Sequence, residues 1–93
     1  MNAGTSNILE MLYTRVEKLC EKGEWQKAYH ASQAVVDKSR GAVLENEEGA
    51  ELGLAGSIEI QADLLRQTGN LEEARLGYLE ALELANNFAE ILE

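Results

Sequence analysis

The side chains able to do chemistry are few and scattered. His30 is the only histidine and Cys20 the only cysteine in 93 residues. A catalytic triad or a metal centre needs several such groups converging, and one histidine with dispersed carboxylates makes neither. Cys20 falls on the apolar side of a helical pattern, where a thiol is inert; Lys18 and Lys22 are poorly placed to stabilise a thiolate. Glu59 and Asp63 stand one helical turn apart. Paired carboxylates can share acid–base work, but nothing around these two builds a pocket. Gly49, Gly53 and Gly56 follow no strand, so they do not read as a phosphate cradle. The expectation is a protein that is not an enzyme and has no metal or cofactor.

An internal duplication carries more information. Gly23-Glu24-Trp25-Gln26-Lys27-Ala28 and Gly69-Asn70-Leu71-Glu72-Glu73-Ala74 share the order glycine, polar, large apolar, polar, charged, alanine. Each is preceded by one amphipathic run and followed by another, and such a period predicts stacked helical hairpins. Composition agrees. There is no proline, only 5% of residues are aromatic, and good helix formers dominate. The length suits one small domain. Seventeen acidic residues against eight basic give a net charge of −9, which repels phosphate backbones and anionic membranes and favours a basic protein partner. No run approaches a membrane span, and no basic-then-apolar leader opens the chain. A single cysteine fits a reducing setting, so a cytoplasmic location is expected.

Four helices are predicted. Met1 to Ser6 read as frayed, with Asn7 and Glu10 spaced as a capping box for a helix from about Ile8 to Glu21, ended by Gly23. The second runs from about Glu24 to Arg40 with an inward stripe of Trp25, Ala28, Tyr29, Ser32, Val35, Val36 and Ser39. Lys38 and Arg40 occupy its last turn, Gly41 stops it, and Val43 and Leu44 tuck against the stripe. Asn46 is placed to cap a third helix reaching Gln67. Its first half holds Gly49, Gly53 and Gly56, each costing about 1 kcal/mol in a helix interior. That half is either helix or flexible linker, and the spacing of Leu52, Ala55 and of Leu54, Ile58 favours helix. The fourth covers about Leu71 to Ala85, with Leu71, Ala74, Tyr78, Ala81, Leu82 and Ala85 inward. Asn87 and Glu90 suggest a new cap, with Phe88, Ile91 and Leu92 starting a further short segment.

These residues resemble the tetratricopeptide repeat, a helix-turn-helix unit of about 34 residues. Gly69, Ala74, Tyr78 and Ala81 hold the turn glycine, the tight-contact alanine, the core aromatic and the alanine that admits the next repeat. Gly23, Ala28, Ser32 and Val35 hold the same places in the first copy, with Trp25 as its large apolar residue. The closing proline is absent, Asn86 standing in its place. Val16 replaces the small residue that Ala62 supplies in the second copy. The two glycines are also further apart than one standard repeat allows, which implies the long-helix variants. The resemblance thus implies an all-α fold of antiparallel TPR-like hairpins in a right-handed superhelix. Repeat one spans about 8–41, repeat two about 46–86, and a terminal segment 87–93.

The resemblance also implies a concave groove lined by the first helix of each hairpin. Carried over by repeat position, that groove takes Glu10, Tyr13, Thr14, Glu17 and Glu21 from the first helix. Glu59, Ile60, Asp63, Arg66 and Gln67 come from the third. It is mostly acidic, so a ligand bearing Lys or Arg is favoured, with Tyr13 as a stacking surface. The Lys and Asn of the carboxylate-clamping variant are missing. Function is therefore expected to be protein or peptide binding as an adaptor or scaffold. The rivals are a self-associating module, or fragment of a larger repeat regulator, and a small client-binding chaperone. Two repeats are fewer than solenoids usually need, so an apolar end face and self-association through it, or through the terminal helix, are also expected.

Overall fold

The computed structural model describes the backbone of residues 1–92 and the side chains of residues 1–87. Four helices make up these residues: α1 (Ala3–Glu21), α2 (Trp25–Leu44), α3 (Ala50–Gln67) and α4 (Leu71–Leu92), with no strand among them. The duplicated glycines are duplicated corners. Gly23 N donates to Cys20 O (2.9 Å) and Glu24 N to Leu19 O (3.0 Å). Forty-six residues on, Gly69 N donates to Arg66 O (3.1 Å) and Asn70 N to Leu65 O (2.8 Å). Both glycines are left-handed, at φ 70° and 82°, the backbone that lets a helix close on its own last carbonyls.

The third corner departs from expectation. Gly41 does not stop α2, which runs on to Leu44. Asn46, expected to cap α3, instead adopts φ 56° and closes α2: Asn46 N donates to Val43 O (3.0 Å) and Glu47 N to Ala42 O (3.0 Å). Asparagine tolerates this conformation better than most residues. Gly49, at φ 75°, then turns the chain into α3. Val43 packs inward as expected, but Leu44 is exposed. Arg40 lies a turn inside α2 and reaches across to Glu80 of α4 at 3.0 and 3.1 Å.

The first helix also starts earlier than the capping-box spacing at Asn7 suggests. Asn2 is the cap, its Oδ1 accepting from Thr5 N at 2.8 Å. Glu47 makes that start pay: one carboxylate oxygen accepts from Asn2 N (2.9 Å), the other from the Thr5 hydroxyl (3.1 Å). The Met1 amino group donates to Glu48 O. A carboxylate at a helix N-terminus meets unpaired amides and the positive end of the dipole, so residues read as frayed are anchored to the α2–α3 corner.

At the other end α4 is continuous through Asn87 to Leu92, so no separate terminal segment forms. No glycine or proline lies there to break it. Phe88, Ile91 and Leu92 were expected to begin a new apolar face, and their side chains lie outside the described residues. Leu71 and Leu82, expected inward on α4, are exposed. The first half of α3 is helix, not linker.

Each helix packs on the next in sequence, and among the described residues no other pair brings Cα atoms within 8 Å. Two clusters result, with no residue in common. One joins Leu9 and Val16 of α1, Ala28 and Val35 of α2 and Leu64 of α3, with Trp25 and Tyr29 packed against it. The other joins Val36, Leu54, Ile58 and Ala81. Small residues set the closest approach. A methyl added at Gly77 would stand 3.1 Å from the Cβ of Ala62, which is fully buried.

Candidate interaction surfaces

Helical geometry divides the predicted groove residues. Glu10, Tyr13 and Glu17 fall on one face of α1, where with Met1, Ser6, Leu9, Thr14 and Gly53 they line a depression of about 620 Å³. The anchored start of α1 builds its floor: Met1 lies over Gly53 of α3, with its Cε 3.0 Å from where a Cβ would be. Both carboxylates are exposed and the Tyr13 ring is half-buried between them. Burial pushes the Tyr13 hydroxyl pKa up, so it stays a neutral donor.

The α3 members are elsewhere. Asp63 accepts a hydrogen bond from the Tyr78 hydroxyl of α4 and has Arg66 at 3.7 Å. This bond to the carboxylate raises the Tyr78 pKa. These residues tie α3 to α4. Glu59 lies beside Leu52, Gly56, Tyr78 and Leu82 in a separate depression of about 450 Å³ on the outer side of the second hairpin. Glu21 is exposed on α1 and lines neither hollow. Of the predicted structural residues, Ala28, Ala74 and Ala81 are buried, Trp25 and Tyr78 partly so, and Gly23 and Gly69 form the corners.

Other groups are accounted for locally. Burial first, and Glu17 second, raise the Cys20 thiol pKa, so it is poorly nucleophilic. His30 is exposed on α2, its ring edge-on to Tyr29 at 5.9 Å. Among the described residues no three His, Cys, Asp or Glu side chains are grouped to hold a metal ion, and no helix is long and apolar enough to cross a membrane.

Sequence reasoning missed Met1 and Ser6, because it treated the first residues as frayed, and so did not bring Gly53 to this hollow. It expected an apolar end face without naming its residues, and it did not single out the outward side of α1. On α1, Asn7, Glu10, Met11, Thr14, Arg15, Lys18, Leu19 and Lys22 line a hollow of about 680 Å³. On the second hairpin, Leu52, Leu71, Leu79 and Leu82 are at least half exposed or close to it. No known family, curated protein or solved structure matches the chain.

Proposed function

We propose that this is a protein-interaction module of the helical-repeat kind, without catalytic activity, which receives a basic extended segment on the concave side of α1. Serial packing of the helices and the repeated corner bonds support a solenoid-like, tetratricopeptide-like arrangement, in which each hairpin offers a side to the next and a face to a ligand. The observation that carries the binding proposal is Tyr13 held between Glu10 and Glu17, at the edge of a preformed hollow. A Lys or Arg side chain fits there by stacking on the ring while its charge meets either carboxylate. Because the helices already hold these groups in place, binding orders little of the protein. Glu59, Asp63 and Arg66 are left out of this site.

Titration of the isotope-labelled chain with an Arg- and Lys-rich peptide, followed by amide resonances, tests it. Saturable shifts centred on Glu10, Tyr13, Glu17 and Gly53 are expected, weakening with salt. Glu10→Lys with Glu17→Lys should abolish them while leaving the helical circular dichroism intact. Shifts spread evenly over the acidic second hairpin would overturn the proposal.

A further inference from the structure

The duplication lets one half of the molecule report what the other half lacks. In a register of 46 residues, α1 maps onto α3 and α2 onto α4, corner bond for corner bond. Val36 of α2 is 2% exposed because α3 covers it with Leu54 and Ile58. Its counterpart on α4 is Leu82, which is 58% exposed. Ser32 and Gln33 of α2 accept hydrogen bonds from Gln61 of α3 at 3.2 and 3.0 Å. Their counterparts, Tyr78 and Leu79, meet no helix beyond α3, whose Asp63 accepts from the Tyr78 hydroxyl, among the described residues. The outer side of the second hairpin is thus the same docking surface that the first hairpin uses, left open.

The helix that could fill it is α1 of another copy. Leu54, Ile58, Gln61 and Leu64 are the α3 residues that seat on the first hairpin, and their counterparts on α1 are Ile8, Leu12, Arg15 and Lys18. Arg15 and Lys18 line the outward hollow of α1, and Ile8 is 40% exposed. Charge complements the fit. Residues 1–44 hold six basic and five acidic side chains, whereas residues 50–93 hold two and nine. The cluster that contains Leu64 and Tyr13 becomes, in the same register, Lys18 facing Glu59. Arg15, in the place of Gln61, comes over the Tyr78 ring.

We infer that copies of this chain associate head to tail, the outer side of α1 in one seating on the outer side of α3 and α4 in the next. The two faces differ, so the contact is heterologous and, where the rotation does not close, continues into an open stack. This surface adjoins the hollow around Tyr13, with Glu10 and Thr14 on the rim of both, but Arg15 and Lys18 line only the outward one.

Sedimentation of the full chain over a wide concentration range tests it. The expected result is a mass that keeps rising past a dimer and falls with added salt. Arg15→Glu with Lys18→Glu spoils only the head, and Leu82→Glu only the tail. Each should weaken association about tenfold or more, since like charges or a buried carboxylate are set against the partner. All three side chains are on the surface, and unchanged circular dichroism checks the fold. Mixing the two variants should restore a one-to-one complex that grows no further, because one sound head meets one sound tail. A monomer at every concentration overturns the inference. So does a dimer that stops at two and survives in either variant alone, which would mean a self-complementary patch.

Discussion

Replacing helical glycines one at a time by alanine separates backbone propensity from helix contact within a single molecule. Gly41, Gly56 and Gly77 all lie inside helices. A methyl at Gly41 or Gly56 meets nothing within 4 Å. Each of those changes should therefore stabilise the fold by about 0.5–1 kcal/mol, the ordinary gain of alanine over glycine in a helix. At Gly77 the same methyl would stand 3.1 Å from Ala62 Cβ, 3.8 Å from Ala62 Cα and 3.9 Å from Ile58 Cγ2. Ala62 has no rotamer to escape into, so α3 and α4 must separate along their shared length, an overpacking that costs about 1–3 kcal/mol. The propensity gain is cancelled or reversed. Gly77→Ala should melt at or below the parent temperature, and Gly56→Ala above it by about 2–5 °C. Thermal and urea unfolding followed by circular dichroism would read both. If Gly77→Ala rises as far as Gly56→Ala, then α3 and α4 do not meet at that point.

Three further outcomes follow from polar groups. Ser39 is fully buried and its hydroxyl has no hydrogen-bond partner, so Ser39→Ala should raise unfolding free energy by about 1 kcal/mol; a loss in urea unfolding would mean the hydroxyl is satisfied. Asn2→Ala removes the α1 cap and should cost about 1 kcal/mol, visible as faster hydrogen exchange at Thr5 while the corner amides Gly23 and Gly69 keep their protection. Glu47 has its pKa held below the ordinary 4.5, first by the Asn2 amide, then by the Thr5 hydroxyl and the nearby Met1 amino group and Lys38. Its stabilising contribution is full above that ordinary value and disappears as pH falls through the depressed folded value. Acid should therefore loosen the start of α1, and Glu47→Gln should remove that part of the pH dependence; an identical acid profile in the variant would refute the link.

What the sequence made legible was set by chemistry that needs no neighbour. Glycine at a left-handed corner is dictated locally, so both hairpin turns and the helix ends at Glu21 and Gln67 could be read directly. Alanine and apolar periodicity likewise placed Ala28, Val35, Ala74 and Ala81 inside. Boundaries that depend on a distant partner could not be read. Asn7, with Glu10 three residues on, has the better cap spacing on paper, but Glu47, contributed by a corner more than forty residues away, sits over Asn2 and moves the start there. Asn46 was read as starting a helix because asparagine caps well, yet it also tolerates the left-handed turn that ends one.

Exposure was the harder quantity, and the reason lies in how serial packing divides a helix. An amphipathic stripe shows which residues avoid water but not how many neighbours the helix has. In α2 the stripe faces both α1 and α3, so Val36 is covered. In α4 an apolar stripe has Cα atoms within 8 Å of those of α3 only, among the described residues, and its far edge, Leu79 and Leu82, meets solvent. Periodicity treats the two alike. The repeat register does not, because it pairs each α4 position with an α2 position whose covering residues are known. The acidic groove was over-extended for a related reason. Glu59 and Asp63 share a helical face with each other, but Asp63 is held by the Tyr78 hydroxyl and Glu59 looks toward the open side of the second hairpin. The carboxylates flanking Tyr13 remain free to meet a ligand, while those of α3 lie at the seam along which a second copy would dock.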